Sequence, residues 1–337
     1  MIDPRFYEVP QPLSASDIAS FLGVVVTRGD PSTKVSSLAA ASRAGNADLA
    51  FVEDPRDADG LRAGCVYLVS TDAAGAIPDG PTIIAVRHPR AAFATIADRL
   101  VRVRTLHATD VRIHASAKIH ASATIEPGVV IGAGAAIGAN VRIGANAVIG
   151  PGVQIGADTS IGANASIRCA LIGDGANIYP SVVIGEAGFG LAEGGAGARL
   201  TPHFGRVIVQ NGVSIGAGSC IDRGLLEDTV IGEGTHIDNL CHIGHNCRIG
   251  AHVVMAAFAG VSGSSEVGDG VQFGGRVGLK DHVRIGAGAR VAAGAAVLGD
   301  VGEGEVVGGY PAKPIRTWMR ELAWLARAAQ KRSTTTE

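Results

Sequence analysis

Histidine is the residue type in this sequence that points most directly to chemistry near neutral pH. The chain has ten histidines, and four of them, His236, His242, His245 and His252, lie close together. A neutral imidazole accepts a proton from an amine or a hydroxyl because its ordinary pKa lies near neutrality. The cluster therefore indicates general acid–base chemistry or metal binding.

His245 is set apart from its neighbours by a glycine 18 residues later in a repeating sequence. Aliphatic residues recur every six positions, so three repeats complete one coil and Gly263 should stack on His245, about 4.8 Å away. A backbone N–H beside an imidazole combines an oxyanion donor with a base, which is what acyl transfer needs. His282 follows about two coils further along.

A metal site is the alternative interpretation of these histidines. Another β-helix family, the gamma-class carbonic anhydrases, binds zinc through three histidines, and that site needs a pair about five residues apart and a third histidine from a neighbouring chain. Here the close spacings are 242 to 245 and 245 to 252, which favours a site without metal. A purely structural role for His245 is the other alternative.

The element that must position these residues is an internal repeat. Isoleucines fall six apart from Ile113 to Ile167, and the same frame continues with interruptions to Val297. A period of six fits neither an α-helix nor an amphipathic strand. It fits short strands joined by glycine-containing corners around a narrow aliphatic interior. We therefore predict a mainly β fold, a parallel β-helix over residues 107–309.

Composition supports this architecture and excludes several other classes of protein. Glycine accounts for 48 of the 337 residues and aromatic residues for only 4%, so the core must come from Ile, Val and Ala. A net charge of −2 argues against a nucleic-acid-binding protein, and 47% hydrophobic residues argue against disorder. No apolar run is long enough for a transmembrane segment. Five cysteines without a CxxC pair, and no visible secretory signal, suggest a cytoplasmic location.

The repeat is interrupted twice, and a segment without the repeat lies on each side of it. Residues 185–206 form an excursion rich in Gly and Ala, and the step from Ile221 to Ile231 is ten residues instead of six. Insertions in a solenoid often project on its binding face. Residues 1–106 are predicted to form a small α/β domain, and residues 310–337 a C-terminal helix and tail.

The predicted C-terminal helix is amphipathic. Its apolar stripe, which we expect to pack back on the β-helix, consists of Ile315, Trp318, Met319, Leu322 and Leu325. Basic residues including Arg316 and Arg320 decorate it. From the sequence alone, this basic face is either solvated or binds an acidic partner.

Several motifs together resemble one family. They are Ile221-Asp222-Arg223-Gly224, Asp228-Thr229-Val230-Ile231-Gly232, Ile237-Asp238-Asn239 and His245-Asn246-Cys247, with Gly188-Phe189-Gly190 and Gly205-Arg206-Val207 in the excursion and Pro311-Ala312-Lys313-Pro314-Ile315 after the last coil. The resemblance is to the UDP-3-O-(3-hydroxyacyl)glucosamine N-acyltransferases of lipid A biosynthesis. They belong to the hexapeptide-repeat acyltransferase superfamily, whose members form left-handed parallel β-helices.

The resemblance implies a role for each matching residue. His245 would be the general base that deprotonates the glucosamine 2-amine, and Asp238 would orient and polarise it. Asn239 would contact the ligand, and the Gly263 amide would stabilise the oxyanion. His282 would be an auxiliary histidine near the phosphopantetheine of the acyl carrier.

The resemblance also implies partners. The donor would be a 3-hydroxyacyl group on acyl carrier protein, which would meet the basic helix at Arg316 and Arg320. The acceptor would be a UDP-amino-sugar lipid precursor bound near Phe51 and Phe189. The thioester of the carrier is a co-substrate, so no other cofactor and no metal is implied. Members of the family are homotrimers with active sites between subunits.

One segment departs from the family pattern. The family usually carries Phe-x-x-Asn-Pro-Lys-Tyr, whose aromatic residues enclose the uracil, whereas this chain has Phe51-Val52-Glu53-Asp54-Pro55-Arg56-Asp57. The substitutions at Asp54 and Asp57 support one alternative, an acyltransferase for another nucleotide amino sugar or one that uses coenzyme A as donor. A further alternative is a β-helical scaffold without catalysis, against which the presence of His245, Asp238 and Gly263 together argues.

Overall fold

A three-sided parallel β-helix forms the largest part of the molecule. The computed structural model describes residues 2–54, 56, 60–77, 79–106, 112–194, 197–309 and 312–333. Each coil of the β-helix contributes one short strand to each of three parallel sheets, here called faces A, B and C in chain order. Together with the small N-terminal α/β unit and the C-terminal helix, this architecture confirms the predicted fold class.

The strands of the three faces follow one another in strict rotation. Face A consists of Lys118–Ile119, Ala136–Ile137, Gln154–Ile155, Ala170–Ile172, Val207–Val209, Thr229–Ile231, Arg248–Ile249, Glu266–Val267 and Arg284–Ile285. Face B consists of Thr124–Ile125, Arg142–Ile143, Ser160–Ile161, Asn177–Ile178, Ser214–Ile215, His236–Ile237, Val254–Met255, Gln272–Phe273, Arg290–Val291 and Val306–Val307. Face C consists of Val130–Ile131, Val148–Ile149, Ser166–Ile167, Val183–Ala187, Cys220–Arg223, His242–Ile243, Gly260–Val261, Gly278–Leu279 and Ala296–Val297.

The aliphatic residue of each repeat points into the interior and stacks on its counterpart one coil away. Ile243 pairs with Val261, and Ile143 with Ile161, and all four are buried. The corners need a left-handed backbone conformation, which glycine and asparagine tolerate best. Asn146 and Asn164, for example, both have φ of 59°. The repeat therefore encodes both the core and the turns.

The N-terminal unit is built on a four-stranded parallel sheet. Its strands and helices are Tyr7–Glu8, Leu13–Ser14, α1 (Ala15–Phe21), Lys34–Val35, Ser37–Leu38, a 3-10 turn at Ala41–Arg43, Asp48–Val52, Val66–Ser70, Thr82–Val86, α2 (Pro89–Leu100) and Arg102–Val103. Helix α1 starts with a capping box between Ser14 and Asp17. Helix α2 buries Phe93, Ile96 and Leu100.

The excursion joins the N-terminal unit to the β-helix. Its strands Leu191–Gly194 and Gly197–Leu200 form an antiparallel hairpin that reaches α2, where Arg199 pairs with Asp98 at 2.7 Å. Its returning segment carries Arg206, which bonds to Asp228 at 2.7 Å and to Asp3 at 2.8 Å. These contacts fix the excursion at both its outer and inner ends.

The C-terminal helix α3 (Ile315–Ser333) corrects one expectation from the sequence. Its apolar stripe does not pack back on the β-helix: Ile315 is 65% exposed and Met319 56%. Among the described residues, no strand or other helix packs extensively against α3. The amphipathic pattern correctly predicted a helix with one apolar face, but periodicity carries no information on which surface covers that face.

Candidate active site

Both interruptions of the repeat lie at one corner of the β-helix, between faces C and A. The excursion connects strand Val183–Ala187 of face C to Val207–Val209 of face A. The ten-residue step connects Cys220–Arg223 to Thr229–Ile231 in the next coil. His245 lies at the same corner one coil higher, between His242–Ile243 and Arg248–Ile249. As predicted, the insertions project on one side, and they surround His245.

His245 and Gly263 are stacked, as the 18-residue period predicted. The N–H of Ser264 donates to the carbonyl of His245 at 2.8 Å, which holds the two coils in register at this corner. A Cβ atom on residue 263 would lie only 2.7 Å from Nε2 of His245. Any side chain at residue 263 would therefore displace the imidazole or itself.

The other nitrogen of the His245 ring is held by the next residue. Nδ1 of His245 lies 3.0 Å from Oδ1 of Asn246, and the same oxygen accepts the backbone N–H of Leu225 at 2.9 Å. The N–H of Asn246 donates to the hydroxyl of Thr229 at 2.9 Å. The ten-residue step thus lies directly beneath the histidine and supplies the hydrogen-bond partners of Asn246.

His203 is a second imidazole in the site, and the sequence analysis did not identify it. It lies on the returning part of the excursion, is 1% exposed, and its ring centroid is 4.9 Å from that of His245. Its Nδ1 lies 2.9 Å from the carbonyl of Thr201. Burial and the charge of His245 lower the pKa of His203 to about 4, so it is neutral at physiological pH.

Buried Arg223 holds the excursion against His245. Its Nε donates to the carbonyl of His203 at 2.8 Å and its Nη1 to the carbonyl of Gly185 at 2.7 Å. On the same side, a Cβ on residue 188 would lie 2.6 Å from Cβ of His245. The excursion therefore forms a wall against the imidazole and restricts the access of water to it.

Asp222 is the carboxylate that this chain brings into electrostatic range of His245, and it too was missed as a site residue. It is 14% exposed, and its Oδ2 lies 3.7 Å from Nε2 of His242. Burial raises its pKa, although His242, His245 and Arg223 act in the opposite direction. The signal was present in the sequence: the ten-residue step places Cys220 opposite His242, which brings Asp222 opposite Gly244.

Asp238 and Asn239 lie at a different corner, between faces B and C. Oδ1 of Asp238 accepts the N–H of Asn239 at 2.7 Å, and its Oδ2 accepts the N–H of Ala257 at 3.2 Å. Oδ1 of Asn239 accepts the N–H of Ala217 at 2.7 Å. Within the described part of one chain, neither residue contacts His245, so the role predicted for Asp238 would require a neighbouring subunit.

The N–H of Gly263 is left open at its corner. It occupies the position that Ala257 occupies at the preceding corner, but among the described residues it donates to no protein acceptor. The N–H of His282 donates to the carbonyl of Gly263 at 3.1 Å, so this histidine lies one coil above, with an exposed side chain. The corner therefore offers an imidazole and an unused amide donor close together.

Of the residues predicted to bind the acceptor, Phe51 lies in the N-terminal unit and Phe189 lies on the excursion, next to Gly188. Phe51 is half-buried, with its ring centroid 5.1 Å from that of Phe93 and the guanidinium of Arg90 over its face. Phe189, on the excursion, is 75% exposed. Asp54 pairs with Arg56, whose hydrogen bonds lower the pKa of the carboxyl to about 2. Pro55, Asp57 and Pro311 lie outside the described residues.

The remaining predictions concern the basic helix, the cysteines, and metal and membrane binding. Arg316 and Arg320 are exposed on α3. Cys247 is buried, and burial raises its pKa to about 11, so its thiol is not a nucleophile at neutral pH. The described residues contain no cluster of three or more His, Cys, Asp or Glu suited to a metal ion. Nor do they include a helix that is long and apolar enough to cross a membrane.

The sequence matches a known family model in parts of the β-helix, and it matches two named relatives over nearly its whole length. Residues 110–144, 135–169 and 228–263 match the family "Bacterial transferase hexapeptide (six repeats)". The chain is 45% identical over 335 residues to UDP-3-O-acylglucosamine N-acyltransferase of Caulobacter sp. (strain K31), which covers 98% of this chain and 97% of that protein. It is 43% identical to the protein of the same name from Caulobacter vibrioides (strain NA1000 / CB15N), over 99% of both chains. A solved structure of LpxA from Acinetobacter baumannii is 26% identical, with a TM-score of 0.48 over 64% of this chain and 78% of that one.

Proposed function

Because the chain belongs to the family of UDP-3-O-acylglucosamine N-acyltransferases, we propose that it transfers a 3-hydroxyacyl group to the 2-amine of UDP-3-O-(3-hydroxyacyl)glucosamine in lipid A biosynthesis. The donor is 3-hydroxyacyl acyl carrier protein. The observation that carries the proposal is the pairing of His245 Nε2 with the glycine at position 263 at the irregular corner. At this corner the half-buried imidazole of His245 and the unused N–H of Gly263 lie beside both inserted segments.

The reaction forms an amide bond and breaks a thioester. The neutral amine nitrogen attacks the thioester carbonyl carbon, and the carbonyl oxygen becomes an oxyanion that accepts the N–H of Gly263. His245 takes the proton that the attacking nitrogen must lose. As the tetrahedral intermediate collapses, the C–S bond breaks, and the proton on His245 passes to the departing sulfur to give the free thiol. The products are the N-acylated sugar and the carrier with its thiol.

Two features of the corner support His245 as a base. The carboxylate of Asp222 stabilises positive charge on the ring that forms when His245 accepts a proton. His203 adds a second ring beside it without adding charge, because its own pKa is low. The neutral His203 and the glycines of the excursion leave the imidazole half-buried, which strengthens electrostatic interactions around it.

The binding partners belong to the same proposal. The exposed guanidinium groups of Arg316 and Arg320 suit an acidic carrier protein, and Phe51 and Phe189 suit the nucleotide and the acceptor. His282 and Asn239 would contact the carrier arm and the ligand. We further propose a cytoplasmic homotrimer, in which Asp238 of one subunit reaches the site of its neighbour. Light scattering of the purified protein tests the trimer, and a monomer would contradict it.

The test of the function is turnover with defined substrates. Purified protein is incubated with UDP-3-O-(3-hydroxyacyl)glucosamine and 3-hydroxymyristoyl acyl carrier protein, and the products are read by mass spectrometry. We expect a product heavier by one hydroxyacyl group and an equivalent amount of free carrier thiol. A parallel reaction with 3-hydroxymyristoyl coenzyme A identifies the donor. If neither donor gives product with a folded protein, the proposed acceptor is wrong.

A different nucleotide amino sugar is the second candidate acceptor. The observation that favours it is Asp54, which stands where the family usually has asparagine. The partner of Asp54 weakens this alternative, because Arg56 lies 2.5 Å away and offsets its negative charge. Product formation with other nucleotide-linked amino sugars, and none with the UDP-glucosamine lipid, would establish it.

A further inference from the structure

The side chain of Asn246 determines which nitrogen of His245 carries the proton. A neutral imidazole has one N–H and one lone pair, and only the nitrogen with the lone pair is a base. Nδ1 of His245 faces Oδ1 of Asn246 at 3.0 Å, so the identity of that amide atom decides the tautomer. An oxygen there requires the proton on Nδ1, whereas an NH₂ group there would require it on Nε2.

The orientation of the Asn246 amide is fixed by a neighbouring backbone N–H, because such a group can only donate a hydrogen bond. The backbone N–H of Leu225 lies 2.9 Å from the same atom and can only donate. If the amide were turned over, its NH₂ group would face this N–H, and neither could accept. The oxygen therefore faces Leu225 and His245 together, and the amide nitrogen lies toward Gly224, where a Cβ would approach it to 3.1 Å.

We propose that Asn246 is a positioning residue that holds neutral His245 with its proton on Nδ1 and its lone pair on Nε2. Nε2 is the nitrogen that lies against Gly263, where the reacting carbonyl is proposed to bind. When Nε2 takes up a proton, Nδ1 keeps the same bond to Asn246, so the ring need not rotate during turnover. This inference rests on the proposed function of His245. The first experiment below, which measures the tautomer, does not depend on that function.

The ten-residue step explains why the side chain of Asn246 is held in a fixed position. Residue 246 has φ of 60°, a conformation that asparagine tolerates, and its N–H donates to Thr229, which is fully buried. Leu225 and Thr229 both belong to the ten-residue step. The extra residues of that step therefore supply the donor that orients the amide.

The first readout is the tautomer of His245 in the folded protein without substrate. Protein labelled with ¹⁵N-histidine has ten histidines, and the signals lost in His245→Ala identify the residue. We expect the neutral form of His245 in the wild type to carry its proton on Nδ1. A proton on Nε2 would overturn the proposal, whether or not the protein proves to be an N-acyltransferase.

The second readout compares two variants. Asn246→Gly keeps the backbone conformation but removes the acceptor, so we expect a mixture of tautomers and a fall in kcat of about 10–100-fold, with little change in KM. Asn246→Asp keeps an oxygen for both donors, so we expect the Nδ1 tautomer and most of the activity to return. Asn164→Gly, at another corner with φ of 59°, controls for the loss of an asparagine from a turn.

The outcomes separate the two proposals. An unchanged tautomer and unchanged kcat in Asn246→Gly would overturn the positioning role. If the wild type has the expected tautomer and the Asn246 variants shift it, but no acyl transfer is found with any donor, the positioning role stands and the proposed function fails. Equal loss of activity in the Asn246→Gly and Asn164→Gly variants would show a structural effect only.

Discussion

Two corners of the β-helix use equivalent backbone positions for different purposes. At the corner between faces B and C, the carboxylate of Asp238 accepts the N–H of Ala257, 3.2 Å away. Six residues later, at the corner between faces C and A, the equivalent positions are Gly244 and Gly263. Gly244 has no side chain, and among the described residues nothing else accepts the Gly263 N–H.

Some corners of this β-helix are capped by an acidic side chain. Asp174 accepts the N–H of Ala157 at 2.7 Å, and Asp269 accepts that of Ala251 at 2.8 Å. These corners are closed to a ligand because their outward N–H groups are already bonded. Among the described residues the N–H of Gly275 also has no acceptor, so the corner of Gly263 differs from other uncapped corners in the side chains that the inserted segments place beside it.

The largest effect should come from the imidazole at the open corner. His245→Ala should lower kcat by about 10²–10⁴-fold, the usual contribution of a general base, with little change in Tm. His236→Ala is the matched control, because the His236 side chain is exposed on face B and its Nδ1 forms a hydrogen bond with Ser214. Comparable rates for the two variants would mean that the base lies elsewhere.

A smaller loss should follow from neutralising the half-buried carboxylate of Asp222 near His245. Asp222→Asn should lower kcat by about tenfold or more, because the positive charge on His245 in the transition state loses its counter-charge. Steady-state kinetics with saturating donor would measure this. An unchanged kcat would remove Asp222 from the mechanism.

The same kinetics on Asp238→Asn test the role that the family resemblance gives to Asp238. A fall in kcat at unchanged Tm would support a contribution to a neighbouring subunit's site. A fall in Tm alone, reflecting about 1 kcal/mol for a lost backbone cap, would support capping as its role.

Protonation of His203 should lower the stability of the folded protein in acid. The pKa of His203 is about 4 in the folded protein, below the ordinary value of 6.5, so the unfolded state binds the proton first as the pH falls. Stability should therefore be full above pH 6.5 and should fall toward pH 4, by at most roughly 3 kcal/mol from this residue. His203→Gln should lose less stability over that range in urea titrations. Equal losses in both proteins would show that His203 is not held neutral.

The same comparison shows what the sequence could predict. The six-residue period determines the coil, and the 18-residue coil places Gly263 over His245, because stacking in a solenoid depends only on spacing. The position of Asp222 could have been predicted from the same spacing once the ten-residue step was counted. The position of His203 could not be predicted in this way, because a residue in the excursion is placed by long-range hydrogen bonds such as those of Arg223. The prediction that the apolar stripe of α3 packs on the β-helix was wrong. The sequence pattern identifies an apolar face but not the surface that covers it.

The most direct test of the open corner is the addition of one methyl group at each of two equivalent glycines. Gly263→Ala would place Cβ 2.7 Å from Nε2 of His245, whereas Gly275→Ala, at the corner between faces B and C, would meet only the carbonyl of Ala257 at 3.5 Å. We expect kcat of Gly263→Ala to fall by about 100-fold while the protein stays folded, and that of Gly275→Ala to stay near the wild-type value. Equal activity of the two folded variants would contradict the assignment of acyl transfer to the corner between His245 and Gly263.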